Sequence, residues 1–200
     1  MTSVTPSRAR SALVSGVALL LLLGAVGCDS GDDIGNQDAG SPPGHAAAAA
    51  EVTTVTTLQA VGKQLDAAHR TRLKAGVAAV IDPWFDGAFL GDFPRSNWSS
   101  AFSGFTQGAA ADAQHRDLDL LTNAGIADQI ESATATLRRV RLNVFAFQGH
   151  PRGVTAHFVL GFTTKGDLEE AVRVRGDLYL AKDKGEWKIF GYDVDQAEPA

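Results

Sequence analysis

The sequence predicts an α+β domain with N-terminal helices packed on a curved antiparallel sheet of four or more strands. Three observations predict it. Apolar residues recur at spacings of three and four over residues 62–81, the repeat of a helix with one buried stripe. From residue 133 onward the period changes to two. The alternating runs are separated by Gly149-His150-Pro151, Gly166-Asp167 and Asp183-Lys184-Gly185, short turn clusters that join antiparallel neighbours.

In the first helix Leu65, Ala68, Arg72, Leu73, Gly76, Val77, Val80 and Ile81 form the stripe, with Lys63, Arg70 and Lys74 elsewhere on its surface. Asp82-Pro83 reads as an N-cap followed by a first-turn proline. A second short helix, or a kinked continuation, then carries Trp84, Phe85, Ala88 and Phe89 into Gly91. Residues 51–60 stay open between a strand, favoured by their Val and Thr content, and an extension of the helix. Residues 91–108 mix aromatics with turn formers, and a short helix is expected near residues 97–101. The next helix covers residues 109–122, with Ala113, Leu118 and Leu121 inward and Asn123 and Gly125 as its stop. Four strands follow, at residues 133–148, 153–165, 169–182 and 186–195. Alternation turns Val140, Leu142, Phe158, Phe162, Val174 and Leu178 toward the helices, and Arg139, Arg141, His157, Arg173 and Arg175 away from them.

The N-terminus reads differently. Arg8 and Arg10 precede an apolar run of about 15 residues ending in Ala25-Val26-Gly27-Cys28. A charged start, a short apolar middle and a small-residue exit are the layout of an export signal, and the run is short of the roughly 20 residues a spanning helix needs. The ending resembles the lipobox of bacterial lipoproteins, with Ala25 where Leu is more usual. That resemblance implies residues 1–27 as the signal peptide and Cys28 as the lipidated first mature residue, a palmitate-bearing anchor to the cell membrane. Plain cleavage with release of the mature chain, and an uncleaved anchor, are the other readings. Asp29 resembles a sorting signal for the inner membrane of two-membrane bacteria. Cys28 is the only cysteine, which excludes an intramolecular disulfide, a CxxC redox site and a cysteine-rich zinc site. Residues 28–50 hold four aspartates, Pro42-Pro43 and an alanine tract without Lys or Arg, and read as a flexible tether. Residues 51–200 are the right length for one domain with its own core. A net charge of −5 argues against nucleic acid as a partner.

The order helix, short helix, aromatic turn, helix and long hairpins, with Trp84-Phe85-Asp86-Gly87 and a last strand running from Glu186-Trp187-Lys188-Ile189 to Val194, resembles the NTF2-like (SnoaL-like, cystatin-fold) superfamily. The chain also resembles exported actinobacterial members of that group, including Mce-associated proteins. The resemblance implies a sheet curled into a cone that can hold a pocket, in whose enzymes an Asp or His acts as base, often with a Tyr. The residues for such a pocket are Trp84, Asp86, Phe89, Asp92, Phe158, Trp187, Tyr192 and Asp193. A carboxylate serves as base when desolvation lifts its pKa, but no two of these form a recognisable pair by spacing, and the aromatics at this spacing also suit a plain core.

Arg139, Arg141, Arg173 and Arg175, with Phe145 and Phe147 at the far end of the same face, suggest a surface for a protein partner or a second copy. A solvated face balanced by Glu169, Glu170 and Asp177 is the plainer alternative. No P-loop, dinucleotide glycine motif, nucleophile elbow or HExxH is present, so neither a cofactor nor a metal is expected. The expected function is therefore a membrane-anchored, extracytoplasmic lipoprotein acting as a non-catalytic binding or assembly module. The alternative is a SnoaL-like enzyme or a carrier of small apolar ligands using the cone.

Overall fold

The computed structural model describes residues 52–61 and 65–199, so the expected signal peptide, Cys28 and the tether lie outside the described residues. Residues Ala48–Ala200 form a compact unit that contains every described core side chain. No described helix is long and apolar enough to cross a membrane.

The described chain is α+β, with the order β1 (Val55–Val61), α1 (Ala67–Phe89), β2 (Gly91–Asp92), α2 (Gln107–His115), α3 (Leu118–Leu121), then β3 (Ile130–Phe147), β4 (His150–Gly166), β5 (Ala171–Asp183) and β6 (Glu186–Pro199). Two 3-10 turns, Ser99–Phe102 and Ala124–Gln129, join the helical pieces. The sheet is open, in the order β1-β3-β4-β5-β6, with β2 pairing a further stretch of β3. β3 to β6 form the expected antiparallel meander.

Two expectations are corrected. The helices are not N-terminal, because residues 55–61 form a strand ahead of them. The sheet is also mixed rather than purely antiparallel, because β1 pairs β3 in parallel, Val55 opposite Arg139 and Leu58 opposite Leu142. The physical reason lies in the connection: a strand that returns through helices enters the sheet in the same direction as its neighbour. Thr54 Oγ1 donates to Asp82 Oδ1 at 2.6 Å and ties the start of this strand to α1.

α1 begins later than the periodicity suggests, at Ala67, where the Asp66 carboxylate accepts the His69 N–H at 2.7 Å as an N-cap. It then runs through Pro83 without ending. Proline removes one backbone donor, but the buried stripe Val77, Ile81, Trp84, Phe85, Ala88, Phe89 continues unbroken across it, and tertiary packing outweighs the local loss. The C-terminal carbonyls of α1 are served from a distance. Arg95 donates to Gly87 O at 3.0 Å and to Leu90 O, while its guanidinium lies 4.3 Å from the Phe93 ring centre. Buried Asn123 donates from Nδ2 to Phe89 O at 2.8 Å and from its backbone to Ala88 O at 3.0 Å. Here charged and amide donors satisfy carbonyls that a helix end leaves open.

The expected single helix over residues 109–122 divides into α2 and α3 around Arg116-Asp117, and Thr106 caps α2 by accepting the Ala109 N–H. Between α1 and the sheet the space is filled by aromatic rings: Trp84 meets Phe158 edge-on at 5.2 Å, Phe85 lies 5.7 Å from Phe158, and Phe89 lies 6.1 Å from Phe162. The buried Trp84 Nε1–H donates to Leu121 O at 3.3 Å, so no polar atom of that ring is stranded. Bulges between Ala135 and Leu137 in β3, and at Phe190 in β6, bend their strands and shift the alternation of side chains beyond them.

Candidate functional site

The outer face of the sheet, turned away from α1, is organised in rows by the register. One row reads Arg139, Val159, Arg175, Asp195 across β3, β4, β5 and β6; the next reads Arg141, His157, Asp177, Asp193. Each row therefore starts with a cation on β3 and ends with a carboxylate on β6. The two pairs of predicted arginines do not sit side by side. β4 separates those on β3 from those on β5, so Arg139 and Arg175 flank Val159, and Arg173 stands one row further along, opposite Gly161. Arg175 Nε pairs with Asp195 Oδ2 at 3.2 Å. The register adds Asp193 and Asp195 to the expected Asp177 as acids on this face.

At the centre lies a chain of polar groups that alternation alone left unlinked. His157 Nδ1 is 2.6 Å from Asp177 Oδ1, and its Nε2 is 2.9 Å from Asn143 Nδ2. With the Asn143 amide donating to Nε2, the imidazole proton sits on Nδ1 and is donated to Asp177. This trio spans three strands and fixes the ring flat in the middle of the face. No acyl-transfer chemistry follows from it, since the ring nitrogen that would act as base is occupied by the amide.

The far end of the face is aromatic. Phe145 is 68% exposed, Phe147 56% and Phe190 55%. Phe190 follows the buried Ile189 and points outward as the extra residue of the β6 bulge, and Tyr179 lies 6.4 Å from it. A shallow cavity of about 430 Å³ lies among Phe145, Thr155, Tyr179 and Phe190. Sequence alternation found Phe145 and Phe147; Asp193 was obscured because the bulge at Phe190 exchanges inside for outside beyond it.

The residues expected to line an interior pocket are dispersed. Trp84 and Phe158 are fully buried in the ring cluster and face no cavity. Asp86 is exposed and forms an ion pair with Arg138 of β3. Asp92 and Asp193 are exposed, the latter on the outer face. Tyr192 is half-buried, and its hydroxyl donates to Asp117 Oδ2 at 2.7 Å; burial and then that bond raise its pKa well above the usual 10.0. Phe89 borders an opening. It lies in a cleft of about 410 Å³ with Asp119, Asn123, Leu168, Glu170 and Val174, between α3 and the start of β5. Trp187 is buried at the other end of the domain, beside α1. Among the described residues no group of His, Cys, Asp and Glu side chains is arranged to hold a metal ion.

The fold and these faces define a class no narrower than an α+β domain with an open mixed sheet and a charged, aromatic outer face. Compared with known proteins, the chain matches no family model, no curated protein and no solved structure.

Proposed function

We propose that the chain is an extracytoplasmic lipoprotein, held to the cell membrane through lipid at Cys28, whose NTF2-like domain is a non-catalytic assembly module with a second copy of itself as partner. The observation that carries the assembly reading is the antisymmetry of the outer face. β3 and β6 are equally distant from the line between β4 and β5. A two-fold rotation about an axis along that line, above the face, brings Arg141 over the partner's Asp193, Arg139 over the partner's Asp195 and the Phe145 end over the partner's Phe190. Self-complementarity of this kind is what a two-fold interface requires. The exposed phenylalanines supply apolar surface at one end of it.

A charge exchange tests the assembly. Arg141→Glu alone and Asp193→Arg alone each place like charges opposite one another and yield monomers in sedimentation. Mixed in equal amounts they form a heterodimer, since both contacts are then opposite in sign. Monomeric wild-type protein, or a mixture that stays monomeric, overturns the assembly reading. The anchor is tested separately: labelled palmitate enters the wild-type product and not Cys28→Ser, which leaves the membrane fraction. Equal membrane retention of both removes the anchor.

A second reading is favoured by the cleft beside Phe89. Its apolar floor of Phe89, Val172 and Val174 under Asp119 and Glu170 suits a small apolar ligand better than it suits catalysis, because Asp86, Asp92 and Asp193 all lie outside it. Val174→Trp fills that cleft, and unchanged uptake of an apolar fluorophore by this variant excludes the carrier reading.

A further inference from the structure

At the opposite end of the domain the antiparallel meander brings two hairpin tips together with the start of α1. The β3–β4 tip supplies His150, Pro151 and Arg152; the β5–β6 tip supplies Lys182 and Trp187; the first turns of α1 supply His69, Arg72 and Leu73. These eight residues line a cavity of about 570 Å³. In a chain of net charge −5 this lining contains no Asp or Glu among the described residues. Arg72, Arg152 and Lys182 make no salt bridge among the described residues. Just ahead of α1 the Asp66 carboxylate is engaged by His69, whose Nδ1 lies 2.9 Å from it. Lys182 Nζ stands 5.6 Å from the Trp187 ring centre, and Trp187 and Leu73 are buried as an apolar floor.

A second cavity, of about 500 Å³, adjoins the first and shares Arg72, Lys182 and Trp187 with it. Away from the shared cations its wall along α1 is apolar: Gly76, Ala79, Val80 and Pro83. Its far side carries Glu186 and Lys188, the latter donating to Ser103 O at 3.0 Å. Gly76 opens this groove. A Cβ there would come 3.0 Å from Trp187 Cδ1, so a glycine lets the indole approach the helix closely.

The geometry points to a binding site for an anionic amphiphile, its phosphate or carboxylate head among Arg72, Arg152 and Lys182 and its hydrocarbon body along Trp187, Gly76 and Val80. Guanidinium groups bind such heads through paired N–H donors, and a partly enclosed apolar wall strengthens that attraction by displacing water. Each of the two cavities has the size of an ordinary ligand site. The site is independent of the lipid anchor and of the outer sheet face.

The test is titration calorimetry on the full-length protein with octyl phosphate, inorganic phosphate, 1-octanol and octyltrimethylammonium, with circular dichroism confirming the fold of each variant. Octyl phosphate binds saturably at one site, and phosphate and octanol each bind at least tenfold more weakly. Arg72→Glu and Arg152→Glu each weaken octyl phosphate at least tenfold, whereas Arg173→Glu on the outer face leaves it unchanged. Gly76→Leu weakens octyl phosphate and spares inorganic phosphate. Vesicles of phosphatidylglycerol that compete with octyl phosphate identify membrane lipid as the source of the amphiphile; failure of vesicles to compete identifies a free one. Octanol or octyltrimethylammonium binding as tightly as octyl phosphate, no saturable binding, or indifference to both arginine reversals overturns the proposal.

Discussion

Arg138 of β3 is ion-paired to Asp86 of α1, with its guanidinium 6.0 Å from the Phe85 ring centre. Arg138 is largely enclosed while Asp86 is exposed, so the pair works as a latch whose inner member cannot be hydrated on its own. Arg138 Nε is buried without a partner, which makes the Asp86 contact the cation's main compensation. Asp86→Ala is expected to lower stability by about 1–2 kcal/mol in urea unfolding, and Arg138→Met at Asp86→Ala to restore part of it. Equal stability of Asp86→Ala and wild type contradicts the latch.

Gly176 of β5 faces Val194 of β6 across the ladder. A Cβ there would stand 2.7 Å from Val194 Cα and closer still to the Asp193 carbonyl, both backbone atoms that cannot swing away. Gly176→Ala is therefore expected to cost at least about 2 kcal/mol and to speed amide exchange in β6 before the other strands. Exchange in β6 that stays as slow as in wild type contradicts this.

Arg95 serves the α1 carbonyls and stacks on Phe93. Arg95→Ala is expected to lose about 2–3 kcal/mol, since several charge-assisted bonds go at once. Arg95→Lys is expected to recover less than half, because an ammonium cannot reach several carbonyls in one plane. A fully stable lysine variant would show that charge alone suffices.

Tyr192 gives the domain an alkaline limit. Its folded pKa is raised by burial and by its bond to Asp117, so the folded state keeps the phenol proton longer than the unfolded chain does. Its contribution is complete below pH 10.0 and falls as pH rises beyond that value, where only the unfolded phenol ionises. Tyr192→Phe is expected to be about 1 kcal/mol less stable at neutral pH and to lose stability less steeply above pH 10. Parallel pH profiles for the two proteins exclude the effect.

The meander and the first helix were legible because both are written in local periods: Val77, Ile81, Trp84 and Phe85 mark a helical stripe, and Val140, Leu142 and Val144 a strand face. The parallel edge strand was not, since residues 55–61 show a strand's composition without naming the distant β3 as partner. Pro83 misled because its local cost is visible in sequence and the buried ring cluster that outweighs it is not. The outer face was half legible. Single-strand alternation placed Arg139, Arg141 and His157 together, but the row that joins His157 to Asp177 and ends in Asp193 exists only in the register. The bulge at Phe190 then reversed the expected side of Asp193, and nothing in the residue types announces it. The basic cavity at the hairpin tips draws on three separate segments, and no one of them is conspicuous alone.

The edge strand β1 has a mechanical meaning. Tension arriving along the backbone from residues ahead of Val55 meets β1 before any other element, and its ladder to β3, together with the Thr54–Asp82 hydrogen bond, resists first. Peeling that strand away leaves the antiparallel meander intact, so β1 behaves as a sacrificial link that yields before the aromatic interior is disturbed.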